Sequence, residues 1–123
     1  MANTFLRKTS RSIGASAVTV GSYTVGASTA TTVIGLSCAN RTTAAITVDV
    51  THNDGSNDTF LVKQATVPSG GSLVVVGGDQ KVVLQTGDSI KVTSSAASCC
   101  DVMMSILEIN QQPLKENGGT PRF

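Results

Sequence analysis

The feature that most constrains the fold of this chain is a series of short runs of Val, Ile and Thr, separated by Gly, Asn, Asp, Pro and Ser. β-Branched residues favour extended backbone, and turn residues at intervals of about 8–12 positions are typical of antiparallel strands. In the clearest run, Ile46, Val48 and Val50 alternate with polar residues. This alternation predicts a strand with one buried face and one wet face. Because no stretch shows a helical period, we expect an all-β chain.

About eight strands are predicted in this way. They cover residues 17–25, 32–39, 44–51, 60–65, 73–76, 81–85, 90–93 and 101–109. In a chain of 123 residues this pattern indicates a single antiparallel β-sandwich, and the strand number favours a jelly roll. Ile34, Leu36 and Cys38 are expected on one face of the second strand. The last strand is apolar on both faces, which indicates a central strand or a face covered by a partner.

The two ends of the chain differ from the middle. Residues 1–16 are expected to form an extended arm, 17–109 the sandwich domain, and 110–123 an extended or disordered tail. A core built from Val, Ile, Leu and Ala without large aromatic residues is thin, and small domains are marginally stable. The apolar last strand and the two long ends would be stabilised by neighbouring subunits. These features favour an oligomer or a member of an assembly.

Charge and composition exclude several classes of function. The net charge is +1, too small to hold nucleic acid without sequence specificity. The apolar runs are far shorter than the ~18 residues of a membrane span. No signal peptide is expected at the start of the chain. The three cysteines are therefore expected to be reduced thiols made in a cytosol.

Candidate catalytic and metal-binding residues are few. The single histidine, His52, ends a predicted strand beside a polar loop and is expected to make a local hydrogen bond rather than to serve as a general base. Cys38, Cys99 and Cys100 lack the paired spacing of a zinc site. The loop 54–58 has two carboxylates but lacks the full register of a calcium loop and is predicted to be a hairpin turn. No catalytic residue, metal site or cofactor is predicted, so we expect a protein that is not an enzyme.

Several segments resemble small virion structural proteins of tailed bacteriophages, of the kind found in cyanophages and other marine or freshwater phages. They are, in order, MANTFLRKTSRSIGASAVTV, TVIGLSCANRTTAAITVDV, FLVKQATVPSGGSLVVV, KVVLQTGDSIKVTSSA and DVMMSILEI. The resemblance covers about residues 1–109, and its motifs are turn-and-strand patterns rather than catalytic signatures. The cysteines are not part of the pattern.

The resemblance implies a β-sandwich protein of the virion, made in the bacterial host cytoplasm and assembled as a dimer or trimer. The first expectation is a capsid decoration (cement) protein that binds the major capsid protein. The second is a neck or tail component, and the third is a host-glycan-binding module, although stacking residues for a sugar are scarce. The expected contact residues lie in the two ends of the chain: Phe5, Arg7, Lys8, Arg11, Pro113, Leu114 and Phe123. The three basic residues are expected to pair with acidic patches on the capsid protein.

Overall fold

The computed structural model describes residues 2–77 and 81–110, and these residues form nine β-strands. The strands are β1 (Ala2–Ile13), β2 (Val18–Thr24), β3 (Thr29–Asn40), β4 (Ile46–Asn53), β5 (Asp58–Val67), β6 (Ser72–Val76), β7 (Val82–Leu84), β8 (Ser89–Ser94) and β9 (Cys100–Asn110). Strands β2 to β9 correspond to the predicted ones, so the all-β prediction is confirmed. Across the two described ranges, no helix has the length and apolar character needed to cross a membrane.

The strands form two antiparallel sheets. Sheet A has the order β1-β9-β3-β6, with β7 also pairing β3, and sheet B has the order β2-β8-β4-β5. The pairs β1·β9, β2·β8, β3·β6 and β4·β5 are nested, as in one long antiparallel ribbon. The ribbon is rolled up so that β9 also pairs β3 and β8 also pairs β4. This is a jelly roll, as the strand number suggested.

The core lies between the inward faces of the two sheets. In β4, Ile46, Val48 and Val50 are buried, as their alternation predicts. From sheet A, Met104 and Ile106 of β9 are fully buried against them. β9 lies between β1 and β3, so it is a central strand, the first of the two alternatives that its apolar residues indicated. All buried side-chain nitrogen and oxygen atoms in the described part have a hydrogen-bond partner.

The start of the chain is extended, but not as an arm outside the sandwich. Residues 2–13 are β1, the edge strand of sheet A, in register with β9 from Ala2↔Asn110 to Ser10↔Val102. The pairing satisfies backbone groups of β9 that would otherwise be left open. A bulge after Ser10 then turns Ile13 into the core, where it is 1% exposed.

A second bulge, in β3, changes which side chains of this strand point inwards. The register shifts between Val33 and Gly35, so Val33 is fully buried while Ile34 is only half-buried. Leu36 and Cys38 are buried as expected. The expectation that Ile34 shares their inward face is therefore wrong, because an extra residue at a bulge reverses the side-chain alternation.

Candidate interaction surface

In the part of the chain that the structure describes, the outer face of sheet A carries a group of exposed large apolar side chains. Five large apolar side chains among the described residues are exposed, and four of them lie on this face: Phe5 (74%), Val74 (65%), Val83 (61%) and Met103 (53%). The fifth, Phe60, belongs to β5 of sheet B. Exposed large apolar side chains gathered on one face are a common feature of interaction sites, so this face is the candidate contact surface.

The register places these side chains in two rows across sheet A. In the first row Val83 pairs Thr32, Thr32 pairs Leu107, and Leu107 pairs Phe5. In the second row Val74 pairs Ser37, Ser37 pairs Met103, and Met103 pairs Thr9. Between the rows Ser105 pairs Gly35 and Arg7. The apolar groups therefore run from the β6–β7 edge to the β1 edge of the sheet.

Of the predicted contact residues, the structure brings Phe5, Arg7 and Arg11 together at the β1 edge of this face. All three are exposed, and Phe5 and Arg7 alternate with Leu6, which packs against the core. Lys8 does not join them. It is half-buried on the inward side, with Nζ 5.1 Å from the centre of the Tyr23 ring. The predicted basic group is thus divided between two sides of the strand, because successive side chains of a strand point to opposite faces.

Two shallow open depressions lie on the same face. One, of about 400 Å³, is bordered by Thr9, Arg11, Asp101 and Met103 among others. The other, of about 470 Å³, lies at the opposite end beside Ala30, Val83 and Gln85. Neither is lined by an aromatic ring, the usual platform for a sugar.

The hydroxyl of Tyr23 joins the two sheets by hydrogen bonds on the inward side of sheet A. The residue is on β2 of sheet B, and its hydroxyl lies 2.7 Å from Thr31 Oγ1 and donates to Glu108 Oε2 at 2.7 Å. Thr31 and Glu108 belong to β3 and β9 of sheet A. Burial and the nearby Glu108 carboxylate raise the pKa of Tyr23 to about 12, although the Thr31 hydrogen bond opposes the shift. The hydroxyl therefore stays protonated at neutral pH, as its role as a donor requires.

His52 makes a hydrogen bond, but its partner is distant in the sequence rather than local. Its Nε2 lies 2.9 Å from Asp88 Oδ2, which also accepts the backbone N–H of Gln85 at 2.9 Å. Asp88 is 8% exposed, and it ties the end of β4 to the turn that precedes β8. A buried carboxylate with two donors is a satisfied structural group, and the contacts around His52 identify no nucleophile for it to activate.

The three cysteines are buried and free. Cys99 Sγ lies 2.9 Å from Ser94 Oγ and donates to the Ala96 carbonyl. A hydrogen bond with Cys100, together with burial, raises the pKa of the Cys38 thiol. Because the thiolate is the reactive form, Cys38 is chemically quiet in the folded chain. The expectation of reduced thiols agrees with this arrangement.

The loop between β4 and β5 is the predicted hairpin turn. Asp54 Oδ1 accepts the backbone N–H groups of Ser56 and Asn57, and Gly55 has a positive φ of 98°. Those two hydrogen bonds lower the pKa of the Asp54 carboxyl. Asn53 donates to Asp58 across the base of the loop. Both carboxylates are thus used within the turn, and the described ranges contain no cluster of three or more metal-ligating side chains.

The other predicted contact residues, Pro113, Leu114 and Phe123, lie outside the described residues. Sequence analysis did not identify Val74 and Val83 as surface residues. Both occupy short strands that look wholly apolar in sequence, and only the pairing of β6 and β7 with β3 shows which side chains point outwards. The outward position of Met103 could have been predicted, because this residue alternates with Val102 and Met104, which point inwards.

Comparison with known proteins identifies the fold but not a family. No family model matches the chain, and no curated protein matches it in sequence. One similar structure is a Bacillus protein from work on endospore appendages described as a novel family of disulfide-linked pili. It has 15% identity and a TM-score of 0.50, over 91% of this chain and 93% of that one. Another is from the virus-like particle of the extra small virus of the giant freshwater prawn Macrobrachium rosenbergii, with 12% identity and a TM-score of 0.44, over 88% of this chain and 79% of that one.

Proposed function

We propose that this chain is a non-enzymatic structural subunit of a tailed-phage virion, and specifically a capsid decoration protein that binds the major capsid protein. The observation that carries the proposal is the exposed apolar face of sheet A, with Arg7 and Arg11 at its β1 edge. A monomer in water gains nothing from this face, whereas a subunit in an assembly gains roughly 25 cal/mol for each Å² of apolar surface that it buries. The sequence resemblance to virion proteins supports the same role.

The structural similarity to a subunit of an assembled appendage agrees with such a role. The disulfide linkage described for those pili does not carry over to this chain. Cys38, Cys99 and Cys100 are all 0% exposed, so a link between subunits through them would require the sandwich to open. We therefore propose that this subunit is held in its assembly by non-covalent contacts.

In this proposal the β1 edge contacts the capsid protein. Arg7 and Arg11 point outwards at the rim of the apolar face, where they can pair with carboxylates of the capsid protein. Such rim charges govern the encounter rate and the choice of partner more than the affinity. Deleting residues 1–16 would be a poor test, because it removes a strand of sheet A as well as the charges.

A charge reversal is a cleaner experiment. Phage particles produced with Arg7→Glu or Arg11→Glu are expected to carry severalfold less of this protein than wild-type particles, because like charges across an interface are destabilising. Lys63→Glu is the matched control, because Lys63 is exposed on sheet B and the change in charge is the same. Normal incorporation of both arginine variants would contradict the proposed contact.

A further inference from the structure

We infer that the outer face of sheet A is the interface between two copies of this chain, related by a two-fold axis that runs parallel to the strands. The inference rests on the proposed structural role, and it names the occupant of the apolar face. The capsid protein would then meet the β1 edge, which remains at the rim of the dimer. Three observations support a second copy: the area of the face, the position of its charges, and the fit of its two edges.

The area of the face matches a standard interface. Strands β1, β9 and β3 have 11 or 12 residues each, and the β6–β7 edge completes a layer four strands wide. At ~3.3 Å per residue and ~4.8 Å per strand, the face measures about 36 by 19 Å, or roughly 700 Å². A stable complex buries about 800 Å² on each partner, so one copy covering another nearly satisfies this requirement.

The pattern of charges selects the orientation of the second copy. In the aligned class of sheet packing, stacked sheets keep their strand directions within about 30° of each other, so a two-fold axis in the interface runs either along the strands or across them. An axis across the strands places β1 over β1 and brings Arg7 and Arg11 of the two copies together. An axis along the strands places β1 of each copy over β6 and β7 of the other, which separates the arginines.

The second orientation also brings complementary side chains together. It aligns each row of the face with the same row of the other copy in reverse order. Phe5, the most exposed of the large apolar side chains, then lies over Val83, and Val74 lies over Thr9. The described outward side chains of β6 and β7 in these rows are uncharged, so neither Phe5 nor Thr9 of the other copy is placed against a charge.

Analytical ultracentrifugation of the purified chain tests this interface. The wild type is expected to sediment at twice its chain mass of 12.6 kDa, with a dissociation constant of about 1 µM or tighter. Val83→Lys should weaken the dimer by at least about tenfold, because it places a charge against Phe5 of the other copy in an otherwise apolar contact. Phe60→Lys is the control: Phe60 is also exposed but lies on sheet B, so the dimer should be unchanged.

A cross-linking experiment tests the axis. The Thr9→Cys/Val74→Cys double variant is expected to give covalent dimers with a short bismaleimide, and each single variant is not. The native thiols do not interfere, because all three are buried. An unfolding curve for each variant confirms that it is folded.

Specific outcomes would overturn the inference. These are a single-chain mass at high concentration, a trimer, a dimer broken by Phe60→Lys but not by Val83→Lys, or a dimer that the double variant fails to cross-link. None of these results concerns incorporation into particles, so the proposed function is tested separately by the charge reversals.

Discussion

Replacing Tyr23 by Phe removes one oxygen atom and should abolish the hydrogen bonds by which this residue joins the two sheets. The hydroxyl makes a 2.7 Å contact with Thr31, which is 1% exposed, and a 2.7 Å hydrogen bond to the half-buried Glu108. The bond to Thr31 contributes about 1 kcal/mol, and the bond to the Glu108 carboxylate contributes about 1 kcal/mol after allowance for its rehydration by solvent. Tyr23→Phe should therefore lower the free energy of unfolding by about 2 kcal/mol.

Urea denaturation at neutral pH measures this loss. With an m value of about 2 kcal/mol/M, the midpoint should fall by about 1 M while the slope stays the same. Thr31→Val removes one of the same contacts, so the Tyr23→Phe/Thr31→Val double variant should lose less stability than the sum of the single variants. A midpoint unchanged by Tyr23→Phe, or strictly additive losses, would refute the role assigned to the hydroxyl.

The raised pKa of Tyr23 adds a pH dependence with a definite sign. In the unfolded chain tyrosine loses its proton near its ordinary pKa of 10.0, whereas in the folded chain the pKa is about 12. The contribution to stability is complete below pH 10 and is lost as the pH rises towards 12. The stability difference between wild type and Tyr23→Phe should therefore shrink over this range, and a constant difference would contradict the assignment.

Three further predictions concern the interior. Ellman's reagent should label none of the three thiols in the folded protein and all three in denaturant, and rapid labelling of the folded protein would contradict their burial. Asp88→Ala should lower the free energy of unfolding in urea by about 2 kcal/mol, because it removes the acceptor of two hydrogen bonds. A loss below about 0.5 kcal/mol, the lower end for a single hydrogen bond, would contradict that role. Asn40→Asp should lower the free energy of unfolding by about 3 kcal/mol or more. The Asn40 amide donates to the carbonyls of Ala44, Val67 and Pro68, whereas a carboxylate has no N–H to donate. A thermal melt that matches the wild type would argue against this network.

Strands β2 to β9 were predictable because their apolar residues follow a local rule. In β4 the alternation of Ile46, Val48 and Val50 with polar residues shows directly which face of the strand is buried. β1 was not predicted as a strand, because it is an edge strand and few of its side chains are apolar and point inwards. Leu6 packs against the core and Ile13 is buried, but polar and basic residues stand between them.

The contact surface was only partly predictable, because it is assembled from strands far apart in the sequence. Phe5 and Arg7 were expected as contact residues from the resemblance to virion proteins, whereas Val74 and Val83 look like core residues until their pairing with β3 is known. Bulges have the same effect on a smaller scale, as at Ile34, because a single extra residue reverses the faces of a strand. Sheet order and bulges depend on packing over the whole chain, so no local pattern encodes them.

Copy number in purified particles tests the central claim most directly. Under the proposed function, quantitative gel densitometry of purified virions should show this chain in an amount comparable to that of the major capsid protein, as expected of a decoration protein. A few copies for each particle would instead place it in the neck or tail. Its absence from purified virions would contradict the structural role itself.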